Sequence, residues 1–248
     1  MEHFVLTHNI KVALVVLYLI IFFLLGLVKF LEIVFKKDLE NMWIRLKSFF
    51  LIVIFFTAAF CFNKIVAFVF LTLISYLCLK EFLSLIPTRK TDRTILLWAY
   101  WSIPVTYYIV YIQWTTLFYL WIPLYMFILL SVRMVMSSNT EGFLKNLAVL
   151  QYGLMTTVYA LGYLGLIAII PLKYNPQGGA VGLLFFILVF TVSNDFIQMF
   201  SGKIFGKHKI IPKVSPNKTW EGLIGGVIGS TILAVIMRSE ERRVGKEC

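Results

Sequence analysis

The sequence predicts an all-α integral membrane protein with about eight transmembrane helices and its N-terminus outside, and three observations carry that expectation. Of the 248 residues, 60% are hydrophobic and the mean hydropathy is +0.88, far beyond what one soluble core buries. Apolar runs that satisfy or approach the roughly 20 residues of a spanning helix fall at 12–28, 49–62, 65–79, 95–112, 117–132, 147–170, 180–200 and 223–237. Between successive runs the Lys and Arg counts are five, one, four, none, two, one and five. Basic residues stay on the cytoplasmic side, so this alternation makes the intervals 29–48, 80–94, 133–146 and 201–222 cytoplasmic.

The first run has no small-residue cleavage site after Val28, and Lys29, Lys36 and Lys37 form a stop-transfer flank, so it is a retained helix rather than a signal peptide. The second and third runs are short and separated only by Asn63 and Lys64, which favours a tight helical hairpin over one broken element. Arg45 and Lys47 close an amphipathic stretch ahead of the second run, suited to anchoring on anionic lipid or to meeting a lipid headgroup. The fourth and fifth runs carry Pro104 and Pro123, which kink helices. Cys61 and Cys78 lie inside apolar runs as packing residues, with no spacing of Cys and His that points to zinc or redox chemistry. The net charge of +11 is mostly the loop bias; it points to anionic lipid and anionic substrate, not to nucleic acid. The last eleven residues, 238–248, reading RSEERRVGKEC, break with the helix before them and look like translated read-through of a sequencing-library adapter. One membrane domain is therefore expected over 1–237, with a non-native tail excluded from functional argument.

Chemistry-bearing residues concentrate at 194–226, NDFIQMFSGKIFGKHKIIPKVSPNKTWEGLIGG. Asp195 lies in an otherwise apolar run, and an uncompensated carboxylate at mid-bilayer costs about 2.5 to 3.5 kcal/mol on insertion scales, so a cation or a wet cavity is expected beside it. Counted from Gly179 it lies about 24 Å along its helix, near the cytoplasmic end. Asn194, Asp195 and Gln198 occupy adjacent helical positions, so their oxygens are expected to converge. Such hard ligands suit Mg²⁺; a polar cluster that merely ties helices together fits the spacing equally well.

Gly202 and Gly206 permit close backbone approach, either of a neighbouring helix or of a phosphate chain. Lys203, Lys207 and Lys209 interleave with them, most simply as positive-inside residues, and His208 reads as a bystander in the same basic loop. In SPNKTWEG, 215–222, Ser215 and Pro216 predict a helix start, serine capping and proline occupying the first turn. The amides of that turn, with Lys218 and the Thr219 hydroxyl beside them, would then favour an anion. Glu221 is either a second metal-neutralising carboxylate or the partner of a lysine, with the structural role favoured, and Trp220 is an interfacial anchor. Gly222, Gly225, Gly226 and Gly229 mark a close-packing face on the last helix.

Asp195, Gly202 with Lys203, then FGKHK, then PKVSPNKTWEG closely resembles the phosphatidate cytidylyltransferases, the CDP-diacylglycerol synthases. Lys80-Glu81-Phe82 is also similar to that family, and the clear motif covers about an eighth of the chain. The resemblance implies transfer of a cytidylyl group from CTP to phosphatidate with Mg²⁺ as cofactor. It implies Asp195 as metal ligand and catalytic residue together with Lys218. Lys203, Lys207, Lys213, Lys218, Ser215 and Thr219 would line the polyphosphate path, and Asn194 and Gln198 would position metal-bound water. The expected setting is a bacterial plasma membrane with the site facing the cytoplasm, and a homodimer is compatible.

Two departures qualify the match. Ile197, Gln198 and Met199 replace the small-residue and tyrosine pattern of many bacterial members, which points to a divergent branch. The family's C-terminal signature, a Lys-Arg and Lys-Asp run followed by His-Gly-Gly and paired aspartates, is absent from these residues and supplies the other metal carboxylate. The expectation is that the chain as given is inactive and that its reading frame continues past Met237. A CDP-archaeol synthase or polyprenol kinase would share the basic loop and the metal with a different lipid acceptor. A transporter would tolerate the intramembrane Asp and the Pro kinks, but would be expected to show internal repeats, and none is persuasive.

Overall fold

The computed structural model describes residues 8–35, 40–61, 63–85, 93–136, 142–169, 179–213 and 215–244, so Lys36, Lys37, Phe62 and Cys248 lie outside the described residues. The helices are α1 (His8–Phe35), α2 (Glu40–Cys61), α3 (Lys64–Ser84), α4 (Arg93–Tyr111), α5 (Thr115–Met136), α6 (Phe143–Ala168), α7 (Gly179–Phe205) and α8 (Trp220–Val244). Six of them are long and apolar enough to cross a membrane, and α4 and α8 carry the shorter apolar stretches Ile95–Tyr111 and Trp220–Val235. Each apolar run of the sequence thus becomes a helix in an all-α polytopic membrane protein. The helix α2 starts well before its apolar run, so Arg45 and Lys47 sit in its first turns and not in a separate amphipathic stretch. The chain divides into two compact units, 1–182 and 183–248.

In the first unit α2 and α3 are separate helices, as the hairpin reading expects. Asn63 caps α3 by accepting from the Val66 amide at 2.9 Å, which satisfies a helix-start donor that lipid could not. Tyr18 joins α1 to α2 through Thr57 Oγ1 at 2.9 Å and an edge-on contact with Phe50. The buried Ser75 and Tyr107 hydroxyls meet at 2.6 Å between α3 and α4. Pro123 lies in a π-helical turn of α5, Trp121–Met126. A proline there withdraws one ladder donor and crowds the preceding turn, and the widened turn leaves the Ile122 carbonyl to accept from Gln151 Nε2 of α6 at 2.9 Å.

Large apolar side chains such as Phe23 and Phe30 remain exposed on α1, as lipid-facing positions do. Cys78 is also exposed on α3, which corrects the packing role expected for it. The core of this unit centres on Phe118, fully buried and stacked on Tyr159 with ring centroids 5.2 Å apart. Gly162 lets that ring approach: a Cβ there would lie 2.7 Å from Phe118 Cε2.

In the second unit α7 gives way to a two-stranded antiparallel hairpin, β1 (Lys209–Ile211) and β2 (Ser215–Thr219), which leads directly into α8. The helix start expected at Ser215-Pro216 is therefore corrected: both residues are in β2, and the helix begins at Trp220. A residue that precedes proline is pushed out of the α region, so Ser215 favours extended backbone. The pairing Lys209↔Thr219 and Ile211↔Ser215 places the three residues of β1 against the five of β2, and Pro216, which has no N–H to offer, falls in the resulting irregularity.

Gly162→Ala places a methyl against a buried ring that has no room to turn, and should destabilise the first unit by about 1–3 kcal/mol. Thermal unfolding in detergent checks this: a transition at or above the wild-type temperature would show that the Phe118 pocket is slack.

Candidate active site

The second unit is assembled by glycines that let α8 lie directly on α7. A Cβ on Gly222 would sit 2.9 Å from the Gln198 carbonyl oxygen and 3.1 Å from the Gly202 Cα, both backbone atoms. Farther along α8, Gly225 faces the Ser201 side chain, Gly226 faces Gln198 and the Asn194 Oδ1, and Gly229 faces Ile197. The close-packing face read from the sequence is therefore real, and α7 supplies its other half. Gly202 and Gly206 also serve protein contact: a Cβ on either would lie close to Thr219, 3.1 Å and 2.9 Å from its Oγ1.

Thr219 takes the capping role assigned to Ser215. Its Oγ1 accepts from the Gly222 amide at 3.2 Å, the N-cap arrangement for a helix that begins at Trp220. Threonine three residues before the glycine that opens an apolar helix was a readable signal, masked by the stronger Ser-Pro pattern.

The seam separates the residues expected to converge. Asn194 and Gln198 turn toward α8 and each other, with Gln198 Nε2 3.5 Å from Asn194 Oδ1. Asp195 is exposed where those two are half-buried. Its side chain is about half exposed, 56%, and its Oδ1 lies 4.0 Å from Lys218 Nζ, which is equally exposed at 55%. The hairpin thus delivers Lys218 of β2 to Asp195 of α7, across 22 residues of sequence. Lys203, Lys207 and Lys213 are exposed and Ser215 is half-buried, in the last turn of α7, the connection to β1, the hairpin turn and the start of β2. Trp220 is exposed, as an interfacial anchor requires.

Glu221 finds its partners in the connection after α7 and not in a lysine side chain. Its carboxylate accepts from the Lys207 amide at 3.2 Å and the His208 amide at 3.3 Å, and its Oε1 lies 2.7 Å from His208 Nδ1. The lysine it meets contributes backbone only. Just outside the apolar run that begins at Leu223, its carboxyl is held down to about 2, first by the His208 side chain and then by backbone donors. His208 is consequently a partner of Glu221 and not a bystander; no local spacing announces this, because the two are brought together by the hairpin. Among the described residues no three of His, Cys, Asp and Glu gather as a metal cluster. Asp195 fits the single exposed carboxylate that Mg²⁺ takes from protein when water and phosphate complete its octahedron.

Residues 43–243 match the cytidylyltransferase family. The uncharacterized protein YnbB of Escherichia coli is 37% identical over 194 residues, 78% of this chain and 63% of that protein. The phosphatidate cytidylyltransferase of Haemophilus influenzae is 48% identical over 64 residues, 25% of this chain and 22% of that protein. That of Pseudomonas aeruginosa is 48% identical over 48 residues, 19% and 18% respectively. In each case the matched chain spans less than two thirds of the relative's length. No solved structure matches.

Two outcomes follow from this geometry. Gly222→Ala meets backbone on α7 that cannot step aside, and should cost about 1–3 kcal/mol, read as a lower unfolding temperature in detergent; an unchanged temperature would mean the helices part freely. Because the Glu221 carboxyl is depressed, its grip on the connection is complete above the ordinary carboxylate range and lost as pH falls through about 2. Hydrogen exchange at the Lys207 and His208 amides, corrected for intrinsic rate, should lose protection only in that acid window, and loss beginning near neutrality would contradict it.

Proposed function

We propose that this chain, which belongs to the cytidylyltransferase family, transfers a cytidylyl group from CTP to phosphatidate, giving CDP-diacylglycerol and pyrophosphate. The observation that carries this reading is the Asp195–Lys218 pair, a carboxylate and an ammonium held 4.0 Å apart by the basic hairpin. An ion pair this exposed contributes about 0–1 kcal/mol to stability, so the fold has little need of it. The arrangement suits a polyphosphate, which asks for cations on its oxygens and for a carboxylate to hold its metal.

In the proposed reaction a phosphate oxygen of phosphatidate attacks the α-phosphorus of CTP, the bond from that phosphorus to the bridging oxygen breaks, and pyrophosphate leaves with the electron pair. Lys218 neutralises charge that grows on the transferring and leaving groups. Lys203, Lys207 and Lys213, exposed on the same connection and hairpin, attract the nucleotide from solvent. Mg²⁺, held by Asp195, would supply further charge neutralisation on the triphosphate. Asn194 and Gln198 act at one remove, by fixing the face of α7 on which Asp195 stands. The bacterial plasma membrane, with the hairpin on its cytoplasmic side where CTP is found, is the setting that the loop charges support.

The named phosphatidate enzymes match only a quarter of the chain or less, so the lipid acceptor is a separate element of the proposal. Expressed from its complete reading frame and held in nanodiscs, the protein should form CDP-diacylglycerol from CTP and phosphatidate in preference to a polyprenol or an archaeal diether lipid. Asp195→Asn should reduce turnover by about 100-fold or more, the scale of losing a principal electrostatic group, with membrane insertion intact. Near-normal turnover by that variant would remove Asp195 from the site, and preference for another acceptor would replace phosphatidate.

A further inference from the structure

We propose that Glu221 and His208 form a latch that closes the base of the β1–β2 hairpin and positions Lys218 toward Asp195, an inference that rests on the CTP reading above for its functional readout. Five contacts converge within a few residues of Lys218. The Trp220 amide donates to the His208 carbonyl at 3.0 Å. The Glu221 carboxylate accepts from the amides of Lys207 and His208 and holds His208 Nδ1 at 2.7 Å. Lys209 pairs with Thr219 as the first rung of the hairpin, so the segment bearing Lys218 is fastened immediately on its C-terminal side. On its other side the hairpin is irregular around Pro216, where the ladder gives little restraint.

The geometry assigns the positioning to Glu221 for a further reason. Two successive backbone amides pointing at one anion form a concavity of the kind that binds phosphate elsewhere, and here the chain's own carboxylate fills it. The amides of Lys207 and His208 are thereby committed to structure, and nucleotide phosphate is left to the lysine side chains. Both Glu221 oxygens already accept hydrogen bonds from the connection. Glu221 and His208 are positioning residues: neither is placed on a reacting atom.

A double-mutant cycle in the full protein, reconstituted in nanodiscs, tests the latch. Glu221→Ala and His208→Ala should each raise the KM for CTP, Glu221→Ala by about tenfold, the scale of one charge-assisted hydrogen bond, with a smaller effect on kcat. The double variant should be no worse than Glu221→Ala alone, because both changes open one contact. Glu221→Gln, which keeps acceptor capacity, should recover part of the loss. The Mg²⁺ concentration for half-maximal activity should stay unchanged throughout. A raised Mg²⁺ requirement in Glu221→Ala with a silent His208→Ala would make Glu221 a metal ligand and overturn the latch, as would additive effects.

Amide exchange keeps the two readings apart and reports on any variant that folds poorly. Loss of protection at Lys207, His208 and Trp220 in Glu221→Ala, with an unchanged KM, would leave the contact real and refute its positioning role. Absence of CTP turnover in the full wild-type protein would instead refute the function it rests on.

Discussion

A backbone in lipid has no water to satisfy its N–H and C=O groups, and where helices of this chain begin or bend, side chains take over that role. Asn63 caps α3, Gln151 reaches the Ile122 carbonyl beside the Pro123 turn, and Thr219 caps α8. Serine and threonine hydroxyls along the spans fold back onto their own helices, as Thr57 does on Val53 and Thr191 on Ile187. The same requirement shapes the functional segment. The connection that leaves α7 turns too sharply for its amides to bond within the helix, and Glu221 accepts them. A single constraint thus explains polar residues in an otherwise apolar chain without assigning each of them a catalytic role.

That constraint also separates the two carboxylates of the segment. Glu221 is spent on backbone and on His208, and its depressed pKa reports that commitment. Asp195 is exposed on α7, and its Oδ1 lies 4.0 Å from the Lys218 ammonium. An ion pair between two half-exposed side chains contributes little to the fold, which is the property that the metal and phosphate binding proposed for Asp195 requires. Carboxylates of similar chemistry, within one short segment, acquire different work from the donors around them.

The apolar helices were legible because their signal is composition and length, which the bilayer enforces on each span separately. The glycine face of α8 was legible too, since Gly222, Gly225, Gly226 and Gly229 recur at helical spacing. Its partner on α7 was not assigned, and that partner explains why Asn194 and Gln198 part from Asp195: the first two lie on the face pressed against α8. Ser215-Pro216 signals a helix start locally, while the pairing that makes it a strand comes from Lys209–Ile211, outside any local window. The contact of His208 with Glu221 is silent in the sequence for the same reason. Contacts that depend on a turn of the chain leave no period in the sequence.

The hairpin is what turns a basic loop into a directed one. Five lysines between two spans satisfy the topology rule wherever they lie, and as a flexible loop they would attract any anion with little discrimination. Folding that loop into β1 and β2 restrains the backbone around one of them, Lys218, and gives it a fixed neighbour in Asp195. Restraint of this kind lowers the ordering that a bound polyphosphate would otherwise have to impose. It also ties the Asp195–Lys218 pair to the close packing of α7 on α8. Asp195 belongs to one helix and Lys218 leads into the other, so their separation is set by how closely the glycines let those helices approach.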